Sequence, residues 1–73
     1  MNFSDALNEI KAGKKLARSG WNGKNMWVEL QLPSALSTLT LAYISMQTAT
    51  GDLMPWLASQ TDILADDWEV VGI

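Results

Sequence analysis

The sequence predicts an α+β domain, an N-terminal helix packed on a small antiparallel β-sheet with a short second helix before the last strand. Three observations predict it. Phe3, Ala6, Leu7 and Ile10 fall at helical spacing and make one apolar stripe. Met26, Val28, Leu30 and Leu32 alternate with Trp27, Glu29 and Gln31, the period of two of a strand with one buried face. Ser59 is followed three places on by Asp62, a variant of the capping box at a helix start.

In chain order, Asn2 or Ser4 can cap the first helix, and Asp5 lies where the helix dipole favours an anion. Lys11 complements the far end, and Gly13 is the residue expected to close it. A helix this short is marginal alone, so its stripe must pack on something. Leu16 and Arg18 flank a short strand, and Ser19 to Gly23 make a turn-rich connection in which Asn22-Gly23 is a strong hairpin signal. Trp27 belongs to the face opposite the aliphatic set of its strand, which suggests a second contact surface. Residues 33 to 40 fit either a loop or, from Ser37 to Leu41, an edge strand. Ala42 to Thr48 is expected as a strand, Thr50-Gly51-Asp52 as a turn, and Leu53 to Trp56 as the hairpin partner. Pro55 belongs at its end or on an edge, since proline cannot donate to a ladder. The second helix is expected to run through Ile63, Leu64 and Ala65, and Trp68 to Val71 to form the last strand. Met26, Met46 and Met54 are most simply core fillers. No repeat or linker interrupts residues 1–73, which make a single domain.

A domain of 73 residues has a small core and commonly needs a staple. The chain has no cysteine, so no disulfide, and no histidine, so a zinc site would have only poor ligands. Self-association is the remaining route. The same absences remove thiolate and serine–histidine chemistry and the one side chain that titrates near neutrality. No cofactor or metal is called for. The N-terminus lacks a basic stretch leading into a long apolar run, and no segment reaches the roughly 20 apolar residues of a spanning helix. A soluble, cytoplasmic protein without a membrane partner is expected.

Net charge is −3, but all five cations (Lys11, Lys14, Lys15, Arg18 and Lys24) lie between residues 11 and 24. A basic segment on an acidic protein attracts a local anion, whereas a nucleic acid polymer would be repelled by the rest of the surface. A solvated basic edge without a ligand fits the charge pattern equally well.

Two constellations carry binding chemistry. Arg18, Trp21, Asn22, Gly23 and Lys24 combine an aromatic plate, an amide, a backbone that a ligand can approach and two flanking cations. Tryptophan stacks a base, and arginine and lysine meet phosphate oxygens. The alternative is an ordinary hairpin whose tryptophan plugs the core. Trp56, Ser59, Gln60, Thr61 and Asp62 place an aromatic residue before a helix start dense in hydroxyl and amide groups. The alternative there is a capped helix whose polar groups serve only the backbone. Asp66-Asp67, the adjacent acid pair, is simplest as a solvated pair. The four tryptophans are too many for so small a core, so at least two are expected at a pocket or an interface.

Gly20-Trp21-Asn22-Gly23-Lys24 and Pro55-Trp56-Leu57-Ala58-Ser59-Gln60-Thr61-Asp62 resemble the hallmark segments of the Thoeris anti-defence family of the second type. Asn2 to Leu7 and Ala65 to Trp68 are similar to it as well, and only residues 32 to 42 depart. The resemblance implies a helix against an antiparallel sheet, assembled as a homotetramer with ligand in recesses between subunits. It implies a sponge that binds cyclic ADP-ribose-type immune signals, and in some members cyclic oligonucleotides, and holds them uncleaved in the host cytoplasm. By matching motif it places Trp21, Asn22, Gly23, Trp56, Ser59, Gln60, Thr61 and Asp62 in or beside such a recess, while Arg18 is chosen on charge. Two other readings stay open. One is a metal-dependent phosphodiesterase using Asp62, Asp66 or Asp67, and the other an interaction subunit without a ligand.

Overall fold

The computed structural model describes residues 1–21, 24–34 and 40–72. Its elements are α1 (Phe3–Lys11), β1 (Leu16–Arg18), β2 (Trp27–Gln31), β3 (Tyr43–Gln47), β4 (Leu53–Pro55), α2 (Gln60–Ile63) and β5 (Trp68–Val70). The strands form one antiparallel sheet in the order β4-β3-β2-β1-β5. This is the predicted fold class, with α1 on one face of the sheet and α2 just before the last strand.

Asn2 caps α1, its side-chain oxygen accepting the Asp5 N–H at 2.9 Å. The helix closes at Ala12 and Gly13, where φ reaches 91°, a value glycine adopts without strain. Ala6 and Ile10 turn inward from α1 and are fully buried with Leu16, Val28 and Trp68. Burying each of Ile10, Leu16 and Val28 stabilises the fold by about 1.5–3 kcal/mol. Phe3, Trp21, Leu30, Ile44, Met46 and Trp56 pack around this nucleus.

Register fixes the two faces of the sheet. Leu16 pairs with Val28 and Val70, Arg18 with Trp68, and Val28 with Met46, so these side chains share the α1 side. Ala17 pairs with Glu69, Trp27 with Gln47, and Glu29 with Ser45, all on the open side. Trp27 thus stands on the face opposite the aliphatic set, as expected. Ser45 is buried there because its hydroxyl accepts from Gln31 at 3.0 Å and donates to the Glu29 carbonyl at 3.4 Å.

Several boundaries differ from the sequence reading. Strand β2 stops at Gln31, opposite Tyr43, so Leu32 lies beyond the ladder and is 70% exposed. Met54 is also exposed, because β4 is an edge strand outside the footprint of α1, which packs on β1, β2 and β5. Helix α2 ends at Ile63 instead of running through Ala65. The Ala65 N–H turns to the Asp62 carbonyl at 3.4 Å, an i→i−3 bond that tightens the last turn, and the same carbonyl also takes the Trp68 indole N–H at 2.9 Å. Asn22-Gly23 and residues 35–39 lie outside the described residues, and with them the Asn-Gly turn and most of the Ser37–Leu41 strand alternative; Thr40 and Leu41 are described and belong to no strand. The flanking strands end at Arg18 and resume at Trp27, a longer connection than a two-residue hairpin. Among the described residues no helix is long and apolar enough to cross a membrane.

Candidate functional site

Strand β1 supplies both halves of the site. On the α1 side, Arg18 crosses to the start of α2 and to the segment entering β5. Its Nε donates to Asp67 Oδ1 at 2.8 Å, and its Nη1 donates to Asp62 Oδ1 at 2.9 Å. The Trp21 indole N–H reaches the same Asp62 oxygen at 3.2 Å. Asp67 Oδ2 also accepts the Gly20 N–H at 2.9 Å and the Ser19 hydroxyl at 3.4 Å. At Gly20 a Cβ would come within 2.8 Å of that oxygen, so glycine lets the turn close on the carboxylate. Ser59 Oγ accepts the Asp62 N–H at 3.1 Å and fixes the start of α2.

The electrostatics follow from these bonds. The hydrogen bonds to Asp67 and then Asp62 hold the Arg18 guanidinium above its ordinary pKa. Burial pushes the Asp62 carboxyl up, but donors from Arg18, Trp21 and Ser59 outweigh it and leave the group below the usual carboxylate value. The Arg18 hydrogen bond lowers Asp67, against desolvation and with help from the Gly20 N–H. Asp67 is therefore no half of a solvated pair; Asp66 stays exposed beside it.

Trp68 forms the hub of an aromatic cluster under this network. Trp21 and Trp56 meet it edge-on at 5.4 and 5.8 Å between centroids, and Phe3 lies 5.5 Å away. Trp21 and Trp56, both half-buried, flank the hub and are not sealed within the core.

A recess of about 430 Å³ opens beside the network on the open face of the sheet. Lys15, Ala17, Arg18, Trp21, Trp27 and Glu69 line it, together with Asn25 and Met26 from the connection into β2. The Lys15 Nζ sits over the Trp27 ring at 4.5 Å from its centroid. Among the described residues Lys15 forms no salt bridge, unlike Arg18. The Trp27 indole N–H is shielded from water without an acceptor among them. Asn25 carries a positive φ of 62°, which asparagine tolerates better than most residues. The volume lies within the roughly 300–1,000 Å³ of small-molecule sites.

Of the residues chosen from sequence, Arg18, Trp21 and Asp62 meet in one hydrogen-bonded cluster, and Ser59 joins it through the cap. Trp56 reaches it only through Trp68. Gln60 and Thr61 are exposed on the first turn of α2, and Lys24 is exposed in the connection before β2. Asn22 and Gly23 lie outside the described residues. Among the described members of this set only Arg18 and Trp21 line the recess, and the Arg18 guanidinium is already engaged by two carboxylates. Lys15, Trp27 and Glu69 were absent from the choice. Alternation back from Leu16 would have found Lys15, since residues 15 and 17 share the open side with Trp27.

Comparison with known proteins bears on the whole chain. The Thoeris anti-defense 2-like domain matches residues 1–71. A curated relative from Bacillus phage SP01, Thoeris anti-defense 2, is 37% identical over 85 residues, covering 99% of this chain and 96% of the relative. That alignment is longer than the chain itself, so the relative carries residues that this chain lacks. Both runs that prompted the sequence resemblance, Gly20–Lys24 and Pro55–Asp62, fall inside the matched span, and the chain belongs to the Thoeris anti-defense 2-like family.

Proposed function

We propose that this protein acts against immunity by sequestering a cyclic ADP-ribose-type signal, with cyclic oligonucleotides as a second ligand class, and holds it without cleaving it. Family membership supports the anti-defence role. The observation that carries the ligand reading is the recess lined by two indoles, Trp21 and Trp27, with the Lys15 ammonium over the Trp27 ring. Flat π-faces suit a nucleobase, and a cation that forms no salt bridge among the described residues suits phosphate. Of the acids that a phosphodiesterase would draw on, Asp62 and Asp67 are both held by Arg18 and Asp66 stands exposed apart from them, which favours sequestration.

Action is by mass balance: protein in excess lowers free signal below what an effector needs. It takes place in the host cytoplasm, where such a signal diffuses. The working unit is a homotetramer whose neighbouring copies complete the recess. Exposed apolar side chains such as Leu53, Leu57 and Leu64, at 61%, 91% and 77%, offer surface for that assembly.

The test is isothermal titration with cyclic ADP-ribose, its linkage isomers and cyclic di- and trinucleotides, followed by heat denaturation and chromatography of the released ligand. Saturable heat and intact nucleotide are expected. Heat from no member of the panel overturns the binding reading, and linear products overturn the non-catalytic one.

A further inference from the structure

Lys15 and Trp27 form no hydrogen bond or salt bridge to the Arg18 network among the described residues, yet both line the recess and touch each other there. The ammonium lies over the ring, where it blocks the face that a base would use. A cation over a partly exposed indole is held weakly, whereas base–indole stacking is stronger, so a base can displace the ammonium from the ring. The flexible lysine stem then lets Nζ swing to an anion beside that base. Arg18 has no such freedom, because both of its bonded edges are occupied by Asp62 and Asp67. Glu69, which pairs with Ala17 across the sheet, adds one carboxylate to the same recess. It repels phosphate from its side and accepts from hydroxyl or amino groups.

Resting on the sequestration reading above, we propose that Trp27 stacks the ligand's base and that Lys15, displaced from the ring, binds its phosphate. Glu69 confines the phosphates to the lysine side. The ligand class is a nucleotide with a flat base at one end and its phosphates gathered together, as in a cyclised ADP-ribose. Arg18 is a positioning residue that fixes Trp21 and makes no contact with phosphate.

The experiment titrates cyclic ADP-ribose and the other panel nucleotides into the wild type and into Lys15→Gln, Trp27→Leu, Trp27→Phe and Lys11→Gln, at low and high salt. Circular dichroism and melting confirm that each variant is folded. Trp27→Leu is expected to weaken binding roughly tenfold or more, and Trp27→Phe to keep most of it. Lys15→Gln is expected to weaken binding and to flatten its salt dependence, and Lys11→Gln to do neither. If Trp27→Leu does not fold, Lys15→Gln and Trp27→Phe decide, the latter through loss of the ligand-induced quench of indole fluorescence. A wild type that binds while Lys15→Gln and Trp27→Leu bind equally well overturns this assignment and leaves sequestration standing. A wild type that binds nothing in the panel overturns both.

Discussion

The Trp21 indole N–H donates to Asp62 Oδ1 at 3.2 Å, the same oxygen that takes Arg18 Nη1 at 2.9 Å. A residue from the loop after β1 and one from the first turn of α2, 41 positions apart, are thereby tied to one point. The orientation of Trp21, and with it one wall of the recess, depends on a charge network that a ligand need not touch.

Replacing Arg18 should therefore disturb structure first and binding second. Arg18→Ala leaves Asp62 and Asp67 without their main counter-charge, and the melting midpoint at pH 7 should fall. Arg18→Lys should rescue little, because one ammonium cannot reproduce a fork that meets two carboxylates. Near-ultraviolet circular dichroism should report the altered Trp21 environment in both variants.

Acid should weaken the fold. Asp62 and Asp67 titrate below the ordinary carboxyl value of 3.8 when folded. An unfolded chain then binds more protons than the native one in that range, so stability rises with pH there. The contribution is complete above the unfolded value and is lost as pH falls from about 4 through the lowered native values. Melts from pH 7 down to pH 2.5 should show the loss, and Asp67→Asn should lose less over the same window than the wild type.

Gly20→Ala places a Cβ against Asp67 Oδ2, within 2.8 Å where the carboxylate now sits. The carboxylate must move away from the Gly20 N–H, at a cost of about 1 kcal/mol, as for a typical point substitution. Urea unfolding should show a lower midpoint with an unchanged slope.

Ser59→Ala removes the acceptor of the Asp62 N–H, and loss of such a cap costs about 0.5–2 kcal/mol. Gln60→Ala and Thr61→Ala, both exposed, should alter stability by less than about 0.5 kcal/mol. If all three variants also leave affinity within twofold, the start of α2 is scaffold and not a ligand contact.

Trp68 is 2% exposed and touches Phe3, Trp21 and Trp56. Trp68→Ala should cost about 3–5 kcal/mol. Set against total stabilities of about 5–15 kcal/mol for native proteins, that is enough to leave so small a domain partly unfolded at 37 °C. Far-ultraviolet circular dichroism at that temperature checks it.

Local periodicity made most of the fold legible. The stripe from Phe3 to Ile10, the alternation through Val28 and Leu30, and the Ser59–Asp62 cap each report a neighbouring contact within a few residues. Leu32 and Met54 were misplaced because their burial depends on where β3 stops and how far α1 reaches, which no local pattern encodes. The candidate site was legible only in part for the same reason. Arg18 carries a visible charge, but its partner Asp67 lies 49 positions away, and adjacent acids look solvated until a distant guanidinium is brought to one of them. Trp27 was readable as facing away from the core. What lay over it depended on β1 and β5 becoming its neighbours.

Strand β1 is three residues long, yet it divides its labour by parity. Residues 16 and 18 face the interior and the charge network, while 15 and 17 face the recess. If the recess is where ligand binds, recognition can drift along one side of the ribbon, for instance from lysine to another residue at 15, while the packing side stays constant. A single inserted residue just before Leu16 that slid the strand by one place would exchange the two sides and erase both at once. Variation in ligand preference across such a lineage should arrive as substitutions at odd positions here, and never as changes in the length of this strand.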